Sequence, residues 1–282
     1  MEQETIVSKG QETETEMKRI VDVRYEQVHG LMKVLEQINP KEAPVHYAIL
    51  DRNGQVAATI PAERYKAIIE STDESVIYGV VSQRYELINH SEIMKRIVPQ
   101  LQQAGLIHKD TAINVGKMFS FWLTEKQHAV RIGDLVQFGV MVRNAIDGSM
   151  GFGIDFYSYR LSCLNGAVMS SSIAPSIRKR HVGLNLDTLE QVLSDALTHI
   201  DEIVHLYRKA AETNLPIPEV RKIIEEMHLP KYITVDVLKD TPSNAWEAYN
   251  ALTLKITRSN ANTYSKTQYY QETEHLLRAI SR

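Results

Sequence analysis

The clearest chemistry in this sequence lies in a short basic run, Arg178-Lys179-Arg180-His181. Contacts to phosphate require long cationic side chains that displace counterions, and arginine adds bidentate hydrogen-bonding geometry. Two further arginines, Arg143 and Arg160, precede the run in segments with strand character. Because the formal net charge of the whole chain is only −3, a site for polyanions must come from local clustering.

These arginines lie in a segment that predicts a β-hairpin, with strands in residues 135–144 and 149–161 and Asp147-Gly148 in the turn. Asp and Gly tolerate the positive φ that a tight turn needs. Centring the turn there places Arg143 and Arg160 on one face with Phe152 and Phe156. Aromatic rings beside arginines can stack unpaired bases while the charges follow the backbone. The predicted nucleic-acid-binding residues are Arg143, Arg160, Arg178, Lys179, Arg180, His181, Phe152 and Phe156.

A second interpretation of the same residues stays open. A helix covers this face of the hairpin, so that Phe152 and Phe156 belong to the core. The basic run is then a solvated strand or loop, and Arg160 pairs with Asp147 inside the sheet. The exposure of these side chains in the folded chain distinguishes the two interpretations.

Motifs for catalysis or metal binding are weak. Glu202, Glu225 and Glu272 each precede a histidine by three residues, a spacing typical of di-iron helical bundles. The first pair falls opposite the apolar stripe of its helix, which indicates a solvated surface. The sequence contains no G-x-S-x-G motif and no phosphate-binding loop. We therefore expect no catalytic residues, no metal and no cofactor, and the sequence favours a binding function over an enzyme.

The composition is that of an ordinary soluble globular protein, with 43% hydrophobic and 24% charged residues among 282. The single cysteine, Cys163, excludes an internal disulfide and a cysteine-based zinc cage, which suits a reducing compartment. No segment approaches the roughly 20 apolar residues that span a bilayer. We predict a cytoplasmic protein that makes no membrane contact.

The pattern along the chain predicts an α+β fold, with an antiparallel-rich sheet domain followed by a helical C-terminal segment packed on it. We divide the chain into a disordered acidic tail (1–18), a mixed sheet domain (19–184) and a helical segment (185–282). A first helix is expected from Ile20 to Gln37, and a hairpin turns at Asn53-Gly54. Asn89 and Glu92 form a capping box for a helix that Pro99 should kink or shorten.

In the helical segment, one apolar stripe predicts a continuous helix over 187–211, capped by Asp187 and Glu190. Its length suits coiled-coil packing, so a homo-oligomer through this helix is expected. The stripe consists of Leu189, Leu193, Ala196, Ile200, Ile203, Tyr207 and Ala210. Further helices are predicted in residues 218–228, 243–257 and 266–280.

Several segments in order resemble the phage/plasmid-like proteins that carry domain of unknown function 932. They are Tyr78–Ile93, the turn with Asn144, Asp147, Gly148 and Ser149, the Arg160-x-x-Cys163-x-Asn165-Gly166 pattern, the basic run ending in His181, and AWEAYNALT. The similarity covers about Val45 to Thr257; the N-terminal tail and first helix lie outside it. The resemblance implies a mixed sheet and helices in a protein of mobile elements, and this setting suggests DNA transactions.

The favoured hypothesis is a nucleic-acid-binding protein, for binding or annealing single-stranded DNA, in replication or recombination of a phage or plasmid. The alternative is an oligomeric structural or host-interaction protein of a mobile element without catalytic activity. A nucleic-acid hydrolase that uses Asp147 or Asp155 is less favoured.

Overall fold

The computed structural model describes residues 27–162, 164–169, 174, 176–182, 189–239 and 242–281. Two antiparallel sheets come first and a set of helices follows, so the predicted α+β class is confirmed. The first helix, α1, is described over residues 27–36 and ends before Pro40, as expected. The strands and the helix among them are β1 (Pro40–Leu50), β2 (Val56–Glu70), β3 (Ile77–Ser82), α2 (His90–Gln103), β4 (Leu106–Asn114), β5 (Lys117–Arg131), β6 (Asp134–Ala145), β7 (Phe152–Arg160), β8 (Asn165–Val168) and β9 (Ile177–Lys179). The helices that follow are α3 (Leu189–Thr198), α4 (Ile200–Glu212), α5 (Ile217–Glu226), α6 (Lys231–Lys239), α7 (Ala245–Arg258) and α8 (Thr263–Ser281).

The first sheet has the order β1-β2-β3 and contains the predicted turn at Asn53-Gly54. Gly54 adopts a positive φ of 78°, and Asp51 accepts hydrogen bonds from the backbone N–H groups of Asn53 and Gln55. Strand β3 packs against the loop between β6 and β7. A Cβ atom on Gly79 would lie 2.5 Å from the carbonyl oxygen of Asp147, so this contact requires glycine.

The second sheet has the order β4-β5-β6-β7-β8, and β9 pairs with the first three residues of β7. The predicted hairpin is present as β6 and β7, but its register differs by one residue from the predicted one. Arg143 lies opposite Gly153, and Val140 lies opposite Phe156, because the connecting loop occupies residues 146–151. A shift of one residue moves every side chain of β7 to the other face. Phe152 and Phe156 therefore share a face with the valines of β6 and not with Arg143.

Helix α2 begins where predicted, after Asn89, but the Asn89 side chain makes no capping hydrogen bond. The helix continues through Pro99 to Gln103 without a break. Its buried face includes Ile93, Met94, Ile97 and Leu101, and this apolar burial stabilises the helix where the cap does not.

The predicted continuous helix over 187–211 is wrong, because α3 and α4 are separate helices that meet at His199. Asp187 lies outside the described residues. Four residues of the stripe, Leu193, Ile203, Tyr207 and Ala210, are buried in the chain's own core. The ring of Tyr207 lies 5.9 Å from Phe138 of the sheet and 4.7 Å from Trp246 of α7.

The helices predicted in the last third are confirmed as α5, α7 and α8, and α6 is an additional helix. Side chains from α1, α2, the second sheet and the C-terminal helices form one apolar core. The predicted domain boundary at residue 184 lies outside the described residues. None of the described helices combines the length and apolar character needed to cross a membrane.

Candidate functional site

A cleft of about 410 Å³ lies at the tip of the β6–β7 hairpin. Strand β9 and the loop after β6 line one side, and the first turns of α8 line the other. Arg143, Arg178, Lys179 and Arg180 all line this cleft, so the structure brings together four of the five predicted cations. No Asp or Glu of the described chain is among the lining residues. The cleft wall is therefore strongly basic in a protein whose net charge is slightly negative.

Two of the arginines are held by one buried carboxylate. Asp155 is fully shielded from solvent, and it accepts a hydrogen bond from Nε of Arg143 at 2.7 Å. Its other oxygen lies 3.5 Å from a terminal nitrogen of Arg178. One negative charge thus faces two guanidinium groups, and their combined charge remains positive. Arg143 is only 11% exposed and forms the shorter ion pair with Asp155, so the excess charge lies on Arg178, whose side chain is 51% exposed.

The other two cations, Lys179 and Arg180, extend from the end of β9 into solvent. Strand β9 is held beside β7 by the pairs Phe152↔Lys179 and Gly153↔Arg178. Gly151 makes this close approach possible, since a Cβ atom there would lie 2.2 Å from the carbonyl oxygen of Lys179. The hairpin tip therefore positions the basic run.

The loop at the cleft edge is ordered by a local ion pair. Lys117 donates to Asp147 at 2.6 Å, and the backbone and hydroxyl of Ser149 donate to the same carboxylate. Burial alone would raise the pKa of Asp147, but these hydrogen bonds and the Lys117 charge outweigh burial and lower it. Asp147 stays ionised and is neutralised by Lys117, so it leaves the positive charge of the cleft in place.

Helix α8 contributes uncharged polar groups and one ring to the cleft. Tyr264, Thr267 and Gln268 line it, and Tyr264 is 41% exposed. A phenol ring with an accessible face can stack on a base, and an amide can hydrogen-bond a base edge. The sequence interpretation missed these residues because nothing in the local pattern of α8 distinguishes them from surface positions.

The prediction that Phe152 and Phe156 are exposed for base stacking is wrong. Both side chains have no solvent-accessible surface, and the Phe156 ring packs 5.6 Å from Phe138. Phe152 touches the cleft from beneath as part of its floor. These rings belong to the core, which is the second interpretation left open by the sequence.

Arg160 also lies apart from the cleft, at the opposite end of β7. It binds the buried carboxylate of Asp134 through two nitrogens, at 2.6 and 2.8 Å. The indole N–H of Trp246 donates to the same carboxylate at 2.8 Å. Burial raises the pKa of Asp134, but the hydrogen bonds from Arg160 and Trp246 outweigh this effect and lower it. Arg160 therefore joins the sheet to α7, and the pairing with Asp147 does not occur.

His181 follows the basic run but is buried below it, and its expected polar contact with a ligand is not available. Its ring stacks on Tyr85, with the ring centroids 5.0 Å apart, and its Nδ1 lies 3.2 Å from the carbonyl oxygen of Glu86. Nearby, His90 Nδ1 lies 3.0 Å from the amide of Asn144. Burial lowers the pKa of His181 and lowers that of His90 to about 4, with the neighbouring His181 adding to the effect on His90. Both rings are neutral near pH 7 and support the hairpin tip from beneath.

Two of the Glu-x-x-His motifs meet through Glu272 of α8 and His228, which lies in the loop after α5. The backbone N–H of His228 donates to Glu272, and its ring lies 3.5 Å from the same carboxylate. Among the described residues, no group of three or more His, Cys, Asp or Glu side chains is placed to hold a metal ion.

These features define a class of protein: an α+β fold with C-terminal helices packed on an antiparallel sheet and a basic cleft at the tip of one hairpin. A family model described as a domain of unknown function (DUF932) matches residues 77–281, and the chain belongs to this family. The predicted family resemblance is thereby confirmed. The match excludes the β1–β2 hairpin and begins at β3. The searches of curated proteins and of solved structures gave no match.

Proposed function

We propose that the protein binds single-stranded nucleic acid, with DNA favoured, through the basic cleft at the tip of the β6–β7 hairpin. The observation that carries this proposal is the excess of positive charge. Four cations line a cleft that contains no carboxylate among the described lining residues, and Asp155 beneath it compensates only part of the charge. An anion with several oxygens, such as a phosphodiester, completes the hydrogen bonding of these groups.

The two cations held by Asp155 and the two exposed cations have different roles in this proposal. Asp155 fixes Arg143 and orients Arg178, so these guanidinium groups present preorganised donors to a phosphate. Lys179 and Arg180 lie at the end of β9 and are exposed, so they follow the backbone on either side of that phosphate. Binding through such contacts releases counterions and depends steeply on salt.

The partial enclosure of the cleft favours a single strand over a duplex. Helix α8 closes one side and places Tyr264 and Gln268 opposite the cations. An unstacked base can lie on the Tyr264 ring while its phosphate meets the arginines, whereas the bases of a duplex are stacked and turned inward. A role in replication or recombination of a phage or plasmid, in the cytoplasm, is consistent with this preference for exposed strands.

The experiment is a fluorescence anisotropy titration of labelled oligothymidylate, about 30 nucleotides long, against the wild-type protein and Lys179→Ala/Arg180→Ala. Both side chains are exposed, so the double variant keeps the fold. Loss of two phosphate contacts reduces the magnitude of the slope of log affinity against log salt by about 1.4. A matched control, Arg221→Ala/Lys222→Ala, removes the same charge from an exposed part of α5 that does not line the cleft.

We expect the control to bind like the wild type and the cleft variant to bind more weakly at every salt concentration. The same oligonucleotide in duplex form should bind less tightly than the single strand. Equal losses in the two variants would indicate a general charge effect and would contradict a site in the cleft. Absence of binding by the wild-type protein at low salt would overturn the function.

A further inference from the structure

The distal half of the β1–β2 hairpin extends from the body of the protein as a two-stranded ribbon. Strand β3 pairs with β2 only from Tyr65 to Ile69, so no described strand continues the sheet beyond that point. Every residue from 46 to 61 is exposed, although the two strands pair with each other, with one register shift between Ile49 and Leu50. We call residues 46–61 the arm.

Both faces of the arm are apolar. Its large side chains are between 45% and 61% exposed; they are Tyr47, Ile49, Leu50, Val56 and Ile60. The pairs Tyr47↔Ile60 and Ile49↔Ala58 share one face. The pair Leu50↔Val56 is on the other face, with Ala48 and Thr59. Directly opposed side chains of an antiparallel pair lie side by side, so the Tyr47 face presents a continuous apolar surface, and the other face presents one large apolar pair beside Ala48 and Thr59.

A ribbon of this kind is unfavourable when it stands alone in water. Isolated two-stranded hairpins are marginally stable, and natural edge strands are protected by charged side chains. The only charged residues of the arm are Asp51 and Arg52, and both lie in the turn. The paired segments of the arm therefore carry no charge that would prevent association.

We propose that the arm is an interaction surface for a second copy of this chain. Its formal charge is zero, so it offers no complement to nucleic acid or to a strongly charged protein. The apolar face with Tyr47, Ile49 and Ile60 is self-complementary around a two-fold axis, since the same residues meet from each copy. The three large side chains of the Tyr47 face leave roughly 300 Å² per copy, and two such faces packed together bury roughly 600 Å², the size of a weak, concentration-dependent interface.

This inference goes beyond nucleic-acid binding and is tested without any nucleic acid. The experiment is sedimentation equilibrium of the wild-type full chain and of Tyr47→Glu/Ile60→Glu over a range of concentrations. The wild type should reach twice the chain mass of 32.1 kDa. Burial of the new carboxylates against a second arm is strongly unfavourable, so the variant's dimer dissociation constant should rise by at least about 100-fold.

A matched control is Tyr232→Glu/Val235→Glu, which changes two exposed apolar residues of α6, 59% and 45% exposed. The control should remain dimeric, and circular dichroism should show that both variants are folded. A wild-type protein that stays monomeric at high concentration overturns the proposal, as does an arm variant that dimerises like the wild type. If the arm variant is monomeric and still binds single strands, the two proposals are separable.

Discussion

Asp155 and Arg143 form a nearly solvent-free ion pair across β6 and β7, with 2.7 Å between Oδ2 and Nε. Asp155 is fully buried and Arg143 is 11% exposed, so each charge depends on the other for its stability. Arg143 of this pair lines the basic cleft, and Asp155 lies beneath it. It therefore links the stability of the hairpin to the geometry of the proposed site.

We predict that Asp155→Asn lowers the free energy of unfolding by about 3–5 kcal/mol, because it leaves the buried Arg143 without its counter-ion. Arg143→Met should cost a similar amount. The double variant should be more stable than the sum of the two losses, by about 1–3 kcal/mol. Urea denaturation of the four proteins measures this coupling, and strictly additive losses would show that the pair does not interact.

Stability should fall in weak acid because of His90. The unfolded histidine has a pKa near 6.5, whereas burial lowers the pKa of folded His90 to about 4. Between these values the unfolded chain takes up a proton that the folded chain does not. Stability is therefore complete above pH 6.5 and declines as the pH falls towards 4, by about 3 kcal/mol in total.

The measurement is urea denaturation at a series of pH values for the wild type and for His90→Asn. The variant should lose this part of the pH dependence, although the buried His181 retains its own. His205→Asn, at an exposed position of α4, should follow the wild-type curve. If the pH dependence of the free energy of unfolding is the same for His90→Asn as for the wild type, groups other than His90 cause the acid sensitivity.

Arg160 should matter for folding and not for binding. Arg160→Gln removes both guanidinium hydrogen bonds from the buried Asp134, and we expect a loss of about 3–5 kcal/mol. Trp246→Phe removes only the indole donor and should cost about 1–3 kcal/mol. The folded fraction of each variant should bind oligothymidylate with wild-type affinity in the anisotropy assay. If Arg160→Gln is stably folded but binds oligothymidylate weakly, Arg160 takes part in nucleic-acid binding and the prediction is wrong.

Gly151 should be required for the position of the basic run, because it lets β9 lie close to the hairpin tip. In Gly151→Ala, the new methyl group would lie 2.2 Å from the carbonyl oxygen of Lys179, so β9 must move away from β7. We expect about 1–3 kcal/mol of destabilisation and weaker oligonucleotide binding, since Arg178–Arg180 move with the strand. A Cβ atom at Gly30, in α1, meets nothing within 4 Å, and Gly30→Ala should stabilise by about 0.5–1 kcal/mol. If Gly151→Ala binds the oligonucleotide with wild-type affinity, the position of β9 does not determine nucleic-acid binding.

The local pattern of the sequence was sufficient for most of the elements. The hairpins at Asn53-Gly54 and Asp147-Gly148 were predictable because few residues tolerate their turn geometry, and the helices α5, α7 and α8 were predictable from apolar periodicity. The α+β class and the family followed from the order of these elements and motifs. The basic run was recognisable because charge clustering is visible in the primary sequence.

Only the tertiary structure determined which side chains share a surface. The loop after β6 has more residues than a tight turn, and this shifted the register by one and moved Phe152 and Phe156 into the core. Long-range packing also placed the predicted arginines at two different sites. Asp155 holds Arg143 and Arg178 at the cleft. Asp134 holds Arg160 at the other end of β7. Sequence periodicity reports which faces are apolar, but the partner that covers each face is chosen by contacts between residues far apart in the chain.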